Sequence, residues 1–171
     1  NIATLRGQFY SQLFVHNGAL YTMGTSKYAG TVLIRKSTDG GVTWTTPDDA
    51  TKGLILPENQ YATAPTPIIV HNGRVWRTME DNKGGGDGTW GHSFRAFIMS
   101  APADADLLKA ENWTVSWKRA RTASWLGGDF NGWLEGCPVV NPDGHIVNML
   151  RVNYELNGDE MAGLIRIMDD M

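Results

Sequence analysis

Pro67-Ile68-Ile69-Val70-His71-Asn72-Gly73-Arg74-Val75-Trp76 reads as two β-rich runs joined by Asn-Gly. That dipeptide suits a type I′ turn, which needs positive φ at both central residues, so the stretch predicts a hairpin. The same pattern stands upstream in Gln12-Leu13-Phe14-Val15-His16-Asn17-Gly18-Ala19-Leu20-Tyr21. Downstream it returns as Pro138-Val139-Val140-Asn141-Pro142-Asp143-Gly144-His145-Ile146-Val147. The turn glycines Gly18, Gly73 and Gly144 are 55 and 71 residues apart. Self-similarity near 50 residues fits propeller blades of about four strands.

Outward from the hairpins, residues 31–36 and 94–100 read as third strands of the first two units. The third unit is interrupted over residues 162–168. Helical periodicity is weak, and the one candidate, residues 103–111, predicts a turn or two at most. The expected architecture is an all-β propeller of four-stranded blades, divided at about 8–60, 61–130 and an incomplete 131–171. Two and a half blades cannot close a ring, so the remaining blades of a longer parent chain are the expected partners. The chain also begins at Asn1 and stops just after the apolar run Leu164, Ile165, Ile167, as though cut from something longer.

Composition agrees with many turns and aromatic packing: 20 glycines and seven tryptophans in 171 residues. That glycine share is about 12%, against an average near 7%. Fifteen Lys and Arg against 18 Asp and Glu give a net charge of -3, with none of the basic excess expected of a nucleic-acid binder. No run approaches the roughly 20 apolar residues of a membrane-spanning helix. The single cysteine, Cys137, excludes an intrachain disulfide and a Cys-based metal site, and it reads as a small buried hydrophobe. No cofactor and no metal is implied.

Candidate site residues gather at one end of the hairpins. Glu135 lies about eight residues before the Asp143-Gly144 turn and Arg151 about eight after, so both stand at the open end of one strand pair. By the repeat offsets, Arg151 aligns with Glu80 and Glu80 with Thr25, which brings Glu80 and Asp81 to the same end. The loop Asp81-Asn82-Lys83-Gly84-Gly85-Gly86-Asp87-Gly88-Thr89-Trp90-Gly91-His92 leaves from there and reads as a flexible lid. Its glycines form no phosphate loop, since no Lys-Ser/Thr follows and no helix begins. Trp90 offers a flat wall for a sugar ring, and His92, Arg77 and Arg95 are further candidates. His16 and His71 fall in hairpin turns at the opposite end, where solvent exposure is expected.

Ser37-Thr38-Asp39-Gly40-Gly41-Val42-Thr43-Trp44 fits Ser-x-Asp-x-Gly-x-Thr-Trp at all five specified positions, Ser37, Asp39, Gly41, Thr43 and Trp44. It resembles the Asp-box (BNR) repeat of the sialidase superfamily and related six-bladed propellers. Asp39 is expected to accept turn amides, glycine to take the positive-φ corner and Trp44 to pack on the sheet, a structural role. A second stretch, Glu135-Gly136-Cys137-Pro138-Val139-Val140 with Gly144, Ile146 and Arg151, resembles the sialidase segment that carries a glutamate and a carboxylate-binding arginine. The resemblance implies an exo-sialidase-like glycoside hydrolase, secreted or periplasmic, acting on acidic or complex glycans. In it Glu135 polarises a nucleophile or acts as base, Glu80 or Asp81 serves as acid, His92 assists, and Arg151, Arg77, Arg95 and Trp90 bind substrate.

The sequence also departs from that pattern. The family's Arg-Ile-Pro strand is replaced by Tyr10-Ser11-Gln12, and residues 25–30 before the box hold no acid. The family's tyrosine nucleophile and third arginine would fall beyond Met171. Two alternatives remain open on the residues alone. One is a polysaccharide lyase on uronate-containing glycans, with His92, Tyr10, Tyr61 and Arg151 in the chemistry. The other is a non-catalytic glycan-binding propeller.

Overall fold

The computed structural model describes residues 2–154 and 161–166. Eleven strands are present among them: β1 (Phe9–His16), β2 (Ala19–Thr25), β3 (Gly30–Ser37), β4 (Leu54–Ala62), β5 (Ile69–His71), β6 (Arg74–Asp81), β7 (Arg95–Pro102), β8 (Thr114–Val115), β9 (Phe130–Val140), β10 (Ile146–Tyr154) and β11 (Met161–Arg166). All pairings between them are antiparallel. The 103–111 candidate reduces to turns and the 3-10 helix Ala110–Asn112. β11 occupies part of the interrupted stretch, and residues 167–168 of it lie outside the described residues.

Three blade-like units follow one another, each starting with an inner hairpin closed by the predicted Asn-Gly or Asp-Gly turn. The first is β1-β2-β3 with the start of β4; the second is the end of β4 with β5, then β6, β7 and β8; the third is β9-β10-β11. At the turns, Asn17 and Asn72 take φ of 45° and 48°, followed by Gly18 and Gly73 at 74° and 69°. One difference from separate blades stands out. β4 pairs β3 through Leu54, Leu56 and Tyr61 and pairs β6 through Tyr61 and Ala62, so the first two units share one continuous sheet. The chain is a partial β-propeller.

Apolar cores fill the space between neighbouring units, because strands facing a sheet on both sides must bury both faces. Met23, Val32, Ile34, Tyr61, Met79, Phe97, Met99 and Trp113 belong to the largest core, spanning the first two units. Ala96, Phe130, Trp133, Leu150 and Val152 join the second to the third. His16 and His71 work at these seams too, which corrects the expectation of exposed turns. His16 is buried with Nε2 2.6 Å from the carbonyl of Ala103, and half-buried His71 sets Nε2 2.7 Å from that of Gly144. Each imidazole ties its own turn to a loop of the next unit.

The registers bear out the repeat alignment at the open end. Phe9 pairs with Thr25, Ala62 with Glu80 and Leu134 with Arg151. Just beyond, the inner strand departs from regular pairing in every unit. In β1 the register slips between Phe9 and Gln12, with Tyr10 at φ 43°. In β9 it slips across Glu135 and Gly136, with Glu135 at φ 48°. The second unit widens the break, and residues 63–68 leave the pairing altogether between β4 and β5. A bulge turns a side chain out of the pleat, and left-handed φ at a bulky residue persists only where the surroundings impose it.

Candidate functional site

The Glu135 bulge is held from the neighbouring unit. The backbone N–H of Gly136 donates to Glu80 Oε1 at 3.2 Å, and the Gly136 carbonyl accepts Thr66 Oγ1 at 2.7 Å and also the hydroxyl of Thr78. Both backbone polar groups of Gly136 are thereby satisfied, as burial requires. Position 136 suits glycine, since a Cβ there would crowd the side-chain amide of buried Asn148. Fixed this way, Glu135 turns outward, its side chain 41% exposed, and Arg151 Nε donates to its Oε2 at 2.7 Å. The expected approach of Glu135 and Arg151 at the open end of the hairpin is present in space.

Glu80 does not face solvent. It is buried, and burial pushes its carboxyl up to about 7; the Glu135 charge adds to the rise, while the Gly136 N–H and the Arg77 guanidinium oppose it. In this chain it supports the bulge from behind, which corrects the expectation of a substrate-facing acid. Asp81, one residue on, is buried in an ion cluster. Arg95 reaches it through Nε at 2.7 Å and Nη2 at 2.8 Å, and Lys118 Nζ stands at 2.7 Å. Burial alone would raise the Asp81 carboxyl, but these cations, with the Lys83 amide, leave it below the usual carboxylate range. Lys118 also lies over the rings of Tyr61 and Phe97, at 5.1 and 4.9 Å. Asp81 and Arg95 are thus spent on each other.

Arg77 needs the same correction. It has no exposed surface, and its guanidinium donates to Thr66 O (2.6 Å), Ala64 O (2.7 Å) and Thr63 Oγ1 (2.8 Å). Burial lowers its pKa to about 10 despite the nearby Glu80. By the repeat offsets its counterparts are Thr22 and Asn148, all three buried behind the break in the inner strand. The second unit has the widest break, so it takes the longest side chain to fill it. Arg77 holds the segment that delivers Thr66 to Gly136.

The 82–94 loop is anchored rather than free. His92 sets Nδ1 2.9 Å from Asp87 Oδ1 and Nε2 3.0 Å from Asn131 Oδ1 on β9, so both ring nitrogens are engaged. Gly91 lies directly against Gly132, and a Cβ at position 132 would strike the Gly91 backbone. Trp90 remains 54% exposed, its ring 5.8 Å from Phe94. Of the alternative tyrosines, Tyr61 is buried and donates to Glu58 Oε2 at 2.8 Å; burial, then this contact, raises its phenol to about 12. Tyr10 is half exposed in the first-unit bulge. Cys137 is half-buried rather than fully enclosed, and burial raises its thiol.

The Ser37–Trp44 turn lies at the far end of the strands. Ser37 pairs with Leu20, near the Asn17-Gly18 turn and remote from Glu135. Asp39 accepts the amides of Val42 (3.1 Å) and Thr43 (2.9 Å) and the hydroxyls of Ser37 (2.7 Å) and Thr43 (2.6 Å). These bonds, Thr43 foremost, hold its carboxyl down at about 2. Gly40 and Gly41 take φ of 75° and 95°, and Trp44 Nε1 closes the turn onto Gly41 O at 2.8 Å.

Sequence reading missed Thr66, Thr78, Asn131 and Lys118, which meet the site across large separations along the chain. Only the bulge left a signal: a glycine inside an apolar strand, directly after an acid.

No protein-family model matches the chain, and no curated protein sequence matches it. Solved structures do. An α-L-arabinofuranosidase from Lactobacillus brevis superposes over 94% of this chain and 53% of its own, with a TM-score of 0.56 and 16% identity. A xylan β-1,4-xylosidase from Bacillus halodurans C-125 covers 95% and 31%, with TM-score 0.57 and 10% identity. A Trypanosoma rangeli sialidase covers 94% and 28%, with TM-score 0.55 and 11% identity. At such identities the likeness is one of fold, the β-propeller. The chain spans 28–53% of the length of these structures.

Proposed function

We propose that this chain is part of a carbohydrate-active propeller, a glycoside hydrolase of sialidase-like type working on acidic glycans outside the cytoplasm. The observation that carries the reading is the Glu135 bulge: a carboxylate turned outward at strained φ, locked by three contacts from the second unit, with Arg151 at 2.7 Å. Backbone strain of this kind costs of order 1–3 kcal/mol and is retained where the surroundings over-determine it. Arg151 supplies a planar fork suited to a sugar carboxylate, and Glu135 supplies the carboxylate that activates a nucleophile or water. Glu80 fixes the bulge from behind. Trp90, exposed on the loop from the same end, is the wall for a sugar ring. The remaining catalytic groups belong to the other blades of the parent.

The structural neighbours named above are an arabinofuranosidase, a xylosidase and a sialidase, which supports a glycosidic substrate without selecting one. The lyase reading loses two of its candidates, since His92 is engaged at both nitrogens and Tyr61 is buried. The deciding assay incubates the full parent with sialosides and uronate-containing glycans and follows reducing ends and ultraviolet absorbance together. New reducing ends without absorbance, abolished by E135Q, support hydrolysis. Absorbing unsaturated products establish a lyase instead, and undiminished turnover in E135Q removes Glu135 from the chemistry.

A further inference from the structure

Between the outer strands of the second and third units lies a groove of about 420 Å³ lined by Trp117, Arg119, Trp125, Trp133, Leu164 and Ile165. Its position is set by the register. Arg119 bridges Ala96, Ala96 pairs with Glu80, and Glu80 pairs with Ala62, so Arg119 ends a row that runs from the inner strand outward at the Glu135 end of the strands. The helical turn Trp125–Gly128, which leads into β9, brings Trp125 against Phe130 and Trp133 at 5.2 and 5.3 Å. Trp117 is 71% exposed. The Arg119 guanidinium carbon lies over both outer indoles, 5.2 Å from Trp117 and 4.6 Å from Trp125.

We propose that this groove is a second, outlying glycan subsite that takes a carboxylate-bearing sugar of the same chain whose end is worked on at Glu135. Two features select that occupant. Indole faces stack on the C–H faces of sugar rings, and a tryptophan as exposed as Trp117 at the edge of a groove is placed to bind rather than to fill a core. Among the described residues, the Arg119 side chain makes no hydrogen bond and no ion pair, and its partners are the two indoles. A contact with the indole rings uses none of the guanidinium's hydrogen-bond donors, so they stay available to an acceptor, and Arg matches a carboxylate bidentately. Every other buried or half-buried cation described at this end has a named oxygen partner: Arg95 and Lys118 on Asp81, Arg151 on Glu135, Arg77 on residues 63–66.

The inference rests on the glycan reading, so binding is measured apart from turnover. Tryptophan fluorescence and calorimetry on the full parent would follow tetragalacturonate, sialyllactose and neutral galactotetraose. Quenching by a carboxylate-bearing probe, weakened about tenfold in W117A and in R119A but retained in E135Q, is the expected result. Trp117 is exposed, so W117A keeps the thermal midpoint of the parent. Equal affinity of parent, W117A and R119A, or no binding of either acidic probe, overturns the subsite. Galactotetraose binding as tightly as the acidic probes overturns the carboxylate assignment. Should E135Q keep full turnover while W117A and R119A lose affinity, the hydrolase assignment of Glu135 falls and the subsite stands.

Discussion

The first and third units use one backbone device with different supports. Each inner strand breaks register after the residue paired at the open end and turns one bulky side chain outward at positive φ, Tyr10 in β1 and Glu135 in β9. In the first unit the support is local: Gln8 Nε2 donates to Ser11 Oγ at 2.6 Å, and Ser11 Oγ donates to Phe9 O at 3.3 Å. In the third it comes from the neighbouring unit, through Glu80, Thr78 and Thr66, with Arg77 behind them. The fold therefore supplies the bulge, and the contacts between units decide how firmly its side chain is aimed. An outward carboxylate with a fixed direction is the one that received the elaborate support.

The comparison breaks most severely at Arg77. R77A leaves the carbonyls of Ala64 and Thr66 and the Thr63 hydroxyl without their buried donor, a loss of about 3 kcal/mol or more. Urea unfolding should show it, and proteolysis should open residues 63–68 before the first unit.

Next comes a pH effect confined to the third-unit bulge. The Glu80 carboxyl is raised in the fold from 4.5 to about 7, so the folded state holds its proton more tightly than the unfolded chain. Its favourable contribution is fully present below pH 4.5 and is lost as pH rises through about 7, on the order of 3 kcal/mol. E80Q mimics the protonated form and should gain on the parent across that window; a constant difference between the two would contradict the assignment.

G136A should cost about 1–3 kcal/mol, because the added methyl meets Asn148. If the bulge aims Glu135, turnover of the parent on its glycan falls further than stability explains. The smallest effect belongs to the locally supported bulge. S11A removes one hydroxyl whose hydrogen bonds go to Gln8 and Phe9, about 1 kcal/mol by thermal unfolding, with Arg151 and Glu135 unaffected.

Local chemistry wrote what could be foreseen. Asn-Gly and Asp-Gly turns demand particular φ values, alternation demands strands, and the Asp39 turn closes on its own eight residues, so hairpins, repeat offsets and the Ser37–Trp44 loop were legible in the chain. The same offsets placed Glu80 and Arg151 at equivalent positions, and equal spacing about the Asp143-Gly144 turn brought Glu135 to Arg151. What they could not tell was which of two adjacent acids faces solvent and which neighbour each one meets. Glu80 and Asp81 alternate across one strand, yet both are buried, because the third unit packs on one and Arg95 with Lys118 closes over the other. Arg77 looked free to bind a ligand until residues 63–66 wrapped around it. The sequence by itself determined turns, strands and their repetition, whose causes lie within a few residues. Burial, ionisation and the aim of Glu135 were decided by the tertiary structure, because desolvation and hydrogen bonding there come from units 50 to 70 residues away.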